Sequence, residues 1–340
     1  MRTVMGCFGA MTTLASRSVL VTGAGGFIGG HLVERLVRDG ARVRALCRYN
    51  SRNERGTLDW LEPNAIAEVE VVLGELRDLE SVSAAVEGME VVLHLGAQIA
   101  IPYSYVNPRD FVEVNVLGTM NVAQAALRHN VQRVVHTSTS EVYGTAQTVP
   151  ITETHPLEPQ SPYAASKVAA DKLMDSYHRS FDLPVCVLRP FNTYGPRQSA
   201  RAIIPTIISQ ALAGSTLRLG SLHPRRDLTY VEDTADGFVA AATHDAALGR
   251  TIQLGTNRDV SVGDLVEMVG EILGRELTVE TDPLRVRPGK SEVERLISGP
   301  VLARELLGWE PRLDLREGLG RTIEWIERNV QRYRVDQYVI

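Results

Sequence analysis

Tyr163 and Lys167 stand four residues apart in SPYAASK, a spacing that puts both side chains on one face of a helix. A phenol is a poor base at its ordinary pKa of ~10. An ammonium one turn away stabilises the phenolate and lowers that value. Such a pair can take the proton of an alcohol while a hydride acceptor oxidises the carbon. Taken alone, a Tyr–Lys pair on a helix is a surface feature. A second group lies at 137–144, TSTSEVYG, directly after the apolar run VQRVVH. Hydroxyls crowd the end of a strand there, with the carboxylate of Glu141 behind them. Hydroxyls at a strand end can cap the next element, and they can also belong to a site that moves protons.

The elements that must position these groups alternate. Runs at 18–22, 41–47, 69–73, 91–95, 131–136 and 185–189 read as strands, and 91–95 is continuously apolar, as a strand covered on both faces is. Helical spacing appears at 29–39, 79–86, 105–130 and 164–181. This pitch predicts an α/β fold, a Rossmann-type doubly wound parallel sheet with a smaller C-terminal substrate-binding lobe. The expected division is an extension over 1–17, a dinucleotide-binding domain over 18–190 with segments around 226–256 returning to it, and a lobe over 191–335. Helices return at 262–273 and 315–334. Residues 1–17 read as a flexible extension, or as an upstream start with Met11 the natural one. A secretory signal is the minority reading, because the apolar part is short and broken by glycines.

Composition narrows the classes. The 340 residues are 44% hydrophobic and 23% charged, ordinary for a globular protein. A net charge of −5 offers no global field for nucleic acid. No apolar run approaches the ~20 residues of a membrane span. The three cysteines, Cys7, Cys47 and Cys186, are scattered and odd in number, which argues for a reducing, cytoplasmic compartment.

The first strand runs into TGAGGFIGGHL, with Gly23, Gly26 and Gly29 in a TGxxGxxG spacing. Between a strand and a helix, such glycines let a pyrophosphate approach the helix N-terminus, whose free N–H groups and dipole favour an anion. The second strand ends RALCRYNSR, where a carboxylate would hold the ribose hydroxyls of NAD. Arg48 stands there instead, with Ser51 and Arg52 near it. A guanidinium suits a phosphate, which tilts the expected cofactor from NAD toward NADP; a solvated basic loop has the same composition. Asp78, after the third strand, is placed either to accept from the adenine amine or to cap the next helix.

TGAGGFIG, HLGAQ (94–98), NVLGT (115–119), TSTSEVYG, YAASK and RPFNTYGPRQ together resemble the extended short-chain dehydrogenase/reductases of the NAD-dependent epimerase/dehydratase family, over about 18–328. The resemblance implies a seven-stranded dinucleotide domain and a nucleotide-sugar substrate. It implies that Gly23, Gly26, Phe27, Ile28, Gly29, Arg48, Ser51, Asp78, Leu79, Leu95, Gly96, Ala97 and Asn115 hold the dinucleotide with Tyr163 and Lys167. The cofactor would be tightly bound and recycled within each cycle. Thr139 would stand beside the sugar C4 oxygen. Members that only epimerise C4 usually lack an acid at the position of Glu141, whereas the 4,6-dehydratases carry T-D-E or T-S-E. Thr139-Ser140-Glu141 is similar to the second form. Oxidation at C4 acidifies the C5 proton, a carboxylate can remove it, water leaves C6, and hydride returns there to give a 4-keto-6-deoxy sugar. Glu141 would serve as the base at C5 and could hand its proton to the departing hydroxyl; in the T-D-E form the aspartate is the acid, a job Ser140 cannot do unaided, which leaves the acid assignment open.

The wider pattern resembles dehydratases acting on UDP-N-acetylglucosamine. A 4-epimerase and a UDP-glucuronate decarboxylase on the same scaffold are the alternatives, and a non-catalytic NAD(P)-sensing protein is the alternative from another class. For the diphosphate, candidate donors are Asn192, Arg197, Arg201, Arg226 and Arg287; the resemblance implies the Asn, Arg226 and Arg287 for the nucleotide pocket. The family often has an Asp where Lys290-Ser291-Glu292 follows RPG. Asp233 is expected to cap a helix. The resemblance also implies a homodimer through helices within 106–127 and 164–177, with neither nucleic acid nor membrane as partner.

Overall fold

The computed structural model describes residues 13–333. The chain opens as β1 (Ser18–Thr22), α1 (Phe27–Arg38), β2 (Arg42–Arg48), a short α2 (Pro63–Ala67), β3 (Val69–Gly74), α3 (Leu79–Val86) and β4 (Val91–His94). There follow α4 (Ile101–Val106), α5 (Pro108–Phe111), a π-helical turn (Val112–Leu117), α6 (Gly118–Arg128), β5 (Arg133–Thr137), α7 (Pro162–Phe181) and β6 (Val185–Pro190). The remainder is β7 (Asn192–Tyr194), α8 (Ile203–Ala213), β8 (Thr216–Leu219), β9 (Arg225–Tyr230), α9 (Val231–Thr243), β10 (Thr251–Leu254), β11 (Asp259–Ser261), α10 (Val262–Leu273), β12 (Thr278–Thr281), β13 (Arg295–Leu296), α11 (Val301–Leu307) and α12 (Leu315–Arg328).

Seven parallel strands form the large sheet in the order β10-β6-β5-β4-β1-β2-β3. The chain winds outward from β1 one way and from β4 the other, so the crevice between these two carboxyl ends is the topological switch point where ligands bind in such sheets. Apolar residues on both faces explain the winding: all of β4 is buried, and separate cores lie on the two sides, one built with Leu32, Val33 and Leu36 of α1, the other with Val122, Ala125 and Ala126 of α6. The smaller lobe pairs β11, β9 and β13, with β7 on β9, and packs α8, α10 and α12 around Ile207, Leu217, Val269 and Ile323.

Several expectations change. Residues 13–17 are not a loose extension: Leu14 is buried, and the Ser16 amide donates to Gly40 O at 2.8 Å. Residues 1–12, and so Met11, lie outside the described residues. The single helix expected over 105–130 is broken, because proline disfavours helical backbone in the residue before it and Asn107 precedes Pro108. The last helix ends at Arg328 rather than continuing to 334. Of 226–256, β9 pairs in the smaller lobe, while α9 and β10 return to the large sheet and its core.

Candidate active site

A cleft of about 700 Å³ follows the carboxyl edge of the large sheet. Gly23, Gly25, Gly26, Phe27, Ile28 and Gly29 line one end; Thr137, Ser138, Thr139, Ser140, Glu141, Tyr163, Asn192 and Arg287 line the other, with Leu95 and Ala97 between. A cavity of about 140 Å³ continues past Gly23 between the ends of β2 and β3, against Arg48, Glu75, Leu76, Gly96 and Ala97.

The glycine loop is dictated by contact. Gly23 has φ +68°, and a Cβ there would meet Gly96 N at 2.7 Å; at Gly29 it would meet the Gly23 carbonyl at 2.3 Å. The N-terminus of α1 has no side-chain cap and no acidic residue in its first turn, so its amides stay open to an anion. These residues fit the pyrophosphate of a dinucleotide. The loop after β2 is strapped over them: Thr57 N donates to Gly25 O at 2.9 Å and its hydroxyl to Gly26 O at 2.7 Å.

A buried chain of hydrogen bonds fixes the next strand end. Thr119 donates to Asn115 O at 2.6 Å, so it accepts from His94 Nε2 at 3.0 Å. His94 Nδ1 is then the acceptor for Thr22 Oγ1 at 2.7 Å, and Thr22 accepts in turn from Gly96 N at 3.0 Å. Burial, with His136 and Lys167 nearby, holds His94 well below the usual imidazole range, in keeping with this neutral form.

Tyr163 and Lys167 both lie on α7, 8% and 4% exposed. Against the lowering expected from the neighbouring ammonium, burial pushes the Tyr163 phenol up to about 12; a hydrogen bond with Thr139 opposes this, and the charges of Glu141 and Asp171 add to it. Burial also brings Lys167 down to about 8, with Asp171 opposing. Thr139 caps the short turn Ser140–Tyr143, accepting from Glu141 N at 3.3 Å, which turns Glu141 back into the cleft. The Glu141 side chain is nearly buried, and its charge acts on both Tyr163 and Arg226. A hydroxyl, a phenol and a carboxylate thus line one end of the cleft, with the buried ammonium of Lys167 one helix turn behind the phenol and outside the lining. Such a set can deprotonate an alcohol and then a carbon acid.

Other sequence candidates fall elsewhere. Asn115 is fully buried and does not line the cleft: its amide joins Gln98 N, Gln98 O and Ser166 Oγ at 2.7–2.9 Å, stapling the loop after β4 to α7. Asp78 caps α3 through Glu80 N, and neither it nor Leu79 lines either cavity; Glu75 and Leu76, at the end of β3, do. Ser51 is exposed and outside the cleft, where Asn50 lines the wall and organises the loop through Glu54 N and O. Arg201 is exposed and leans on Ser199. Arg197 is a staple to α1, donating to His31 Nδ1 at 2.8 Å and Glu34 at 2.5 Å. Asp233 is no helix cap; it accepts from Leu313 N at 3.1 Å. Arg226 and Arg287 do come together, each 3.6 Å from Glu292. Sequence reasoning missed Gln198, whose Oε1 is buried in the cleft wall without a partner among the described residues. It also missed Asp171, although Asp171 repeats the four-residue step from Tyr163 to Lys167.

Residues 20–322 match the family model described as GDP-mannose 4,6 dehydratase. The chain belongs to this family. Like the epimerase/dehydratase group of which that family is part, it has the Rossmann-type sheet of the short-chain dehydrogenase/reductases. It is 36% identical over 319 residues to a UDP-glucose 4-epimerase of Mycolicibacterium smegmatis, covering 92% of this chain and 99% of the relative. It is 34% identical over 315 residues to a dTDP-glucose 4,6-dehydratase of Streptomyces antibioticus, covering 92% and 93%. The crystal structure of DesIV, a dTDP-glucose 4,6-dehydratase from Streptomyces venezuelae with NAD bound, superposes with a TM-score of 0.85 at 29% identity over 93% and 99% of the two chains. As a member of the dehydratase/epimerase family the protein is an enzyme. Among the described residues, no helix is long and apolar enough to cross a membrane.

Proposed function

We propose that the protein is a nucleotide-sugar 4,6-dehydratase acting on UDP-N-acetylglucosamine. One observation carries this reading: the Glu141 carboxyl, 9% exposed, lines the cleft beside Thr139 and Tyr163. Thr139 and Tyr163 receive the C4 hydroxyl, and Tyr163 takes its proton with Lys167 behind it. Bound along the glycine loop, the dinucleotide supplies the hydride acceptor for C4 and the hydride donor for C6. Glu141 removes the C5 proton once C4 is a carbonyl, and passes a proton to the hydroxyl leaving C6. Asn192, Arg226 and Arg287 hold the nucleotide diphosphate. The test is incubation with UDP-N-acetylglucosamine and mass spectrometry of the product, expected one water lighter. An unchanged mass with every hexose nucleotide tried would overturn the reading.

The similarity to a 4-epimerase favours a second reading, epimerisation at C4. It gives a product of unchanged mass with altered C4 configuration, whereas decarboxylation of a uronate loses carbon dioxide. Of the two dinucleotides the reading is NADP, supported by Arg48 in both cavity walls; Glu54, which lines the larger cleft, is the residue that would favour NAD, the cofactor present in the DesIV structure. We read the protein as a cytoplasmic homodimer. Support comes from the apolar side chains left exposed along 105–117: Tyr105, Val106, Val112 and Leu117. Light scattering at the monomer mass would reject the dimer.

A further inference from the structure

Beneath the catalytic end of the cleft lies a closed polar cluster around Asp171. It stands on α7 one turn beyond Lys167, and the two side chains are 3% and 4% exposed. Residues four apart on a helix are neighbours on its surface. Asp171 Oδ2 accepts from Ser138 Oγ at 2.7 Å and from Arg189 Nη2 and Nε at 2.9 and 3.2 Å. Asp171 Oδ1 faces His136 Nε2 at 3.3 Å without hydrogen-bond geometry. Three elements therefore meet at one carboxylate: α7, the end of β5 that carries Thr139, and β6.

We propose that Asp171 is a positioning residue that keeps Lys167 cationic under Tyr163 and, through Ser138, fixes the strand end that presents Thr139. The charges around Lys167 support this. Tyr163 and Asp171 face it from its own helix, His94 from β4 and His136 from β5; Arg189 reaches the same carboxylate from β6, and Glu141 stands beyond Tyr163. Burial lowers His136 to about 4, with Lys167 contributing, so that ring is neutral and adds no positive charge. Burial alone would raise Asp171; His136, Arg189 and Ser138 together outweigh it, and the group stays anionic. Asp171 is ion-paired with Arg189 at 2.9 Å, and its negative charge acts on Lys167 one helix turn away. A buried ammonium without a counter-charge loses its proton readily.

The sequence offers a direct probe. The chain has three lysines, Lys167, Lys172 and Lys290, and the last two are exposed. Carbon-13 labelling of lysine Cε gives three resonances, and the buried one titrates apart from the others. In the wild type its midpoint is expected near 8. In Asp171→Asn it is expected to fall by at least about one unit, a tenfold loss of cation at a fixed alkaline pH. An unmoved midpoint in Asp171→Asn overturns the proposal. Should that variant fail to fold, the wild-type titration still decides: a midpoint below ~6, as in buried lysines with no partner, would show that Asp171 does not hold the charge.

The link to turnover rests on the dehydratase reading, whereas the lysine titration needs no substrate and stands or falls separately. With turnover available, Asp171→Asn is expected to lower kcat about tenfold with little change in KM. The alkaline limb of kcat should move to lower pH by the NMR shift, and Asp171→Glu should restore both. A loss of rate uniform across pH would mark a merely structural role and refute the positioning one.

Discussion

Replacing Glu141 by Gln tests the dehydratase reading at its centre. The amide keeps the shape of the side chain, and no described residue donates a hydrogen bond to the carboxyl, so the substitution removes only the action of its charge on Tyr163 and Arg226. The variant should therefore fold with a stability change below about 1 kcal/mol. The first half of the reaction should survive. Glu141 is one of the charges that push the Tyr163 phenol upward, after burial, so its removal lowers that pKa and leaves C4 oxidation undiminished. Carbon deprotonation at C5 has no base in the variant. A positioned general base contributes roughly 10²- to 10⁴-fold, about 2.7–5.4 kcal/mol of barrier. The assay is mass spectrometry of the sugar nucleotide for loss of water, run beside the near-ultraviolet absorbance of reduced nicotinamide. The expected result is a reduced cofactor that persists while the water-loss product falls by at least about 10². Dehydration within about threefold of the wild type would refute the role of Glu141, because no barrier term of that size would then have been removed.

Asn115→Ala removes three hydrogen bonds, one buried and two part-buried, and leaves Gln98 N and O unpaired, a cost of about 2–4 kcal/mol in urea unfolding; a wild-type midpoint would show that the staple carries no stability. Arg48→Ala is expected to weaken NADP about tenfold or more in a fluorescence titration while leaving NAD within about twofold, and equal losses for both would reject a phosphate contact. Acid should destabilise the fold. His31 is lowered to about 3, by burial and then Arg197, and His136 to about 4, by burial and then Lys167. The unfolded chain protonates these rings near 6.5, so it binds more protons than the native state below that pH, and stability falls as pH drops from about 6.5 toward 4. Urea midpoints across that range check it, and His31→Gln should flatten the slope.

The parts of the site legible in sequence were those in which spacing and backbone geometry are one statement. Gly23 and Gly29 are required by a positive φ and a 2.3 Å approach, so the motif and the turn coincide. Tyr163 and Lys167 share a helix face because four residues make about one turn. Arginines carry no such constraint. Arg197, Arg201, Arg226 and Arg287 have the same chemistry in the same half of the chain, and only tertiary packing sends two of them to Glu292, one to Glu34 and one into solvent. Asp78 illustrates a local competition: an Asp before a helix satisfies its orphan amides, and that role took it away from the cavity that Glu75 lines. Helix α8, IIPTIISQALA, escaped because it is apolar nearly all round, so no stripe marks it, and it lies buried in the smaller lobe.

Charge placement along the cleft bears on the unassigned acid. Among the described residues that line it, the carboxylates are Glu54 and Glu141. Glu54 belongs to the loop strapped over the glycine turn, at the dinucleotide end; Glu141 stands with Tyr163 at the other. Ser140, between Thr139 and Glu141, carries a hydroxyl whose pKa is far too high to protonate a leaving group unaided. On the dehydratase reading a single carboxyl must then serve twice, taking the proton from C5 and giving one up at C6. That requires both bonds to lie on one face of the sugar, within reach of one side chain. The elimination is thereby constrained to be syn, and the Thr139 cap that turns Glu141 into the cleft becomes part of the chemistry as well as of the fold.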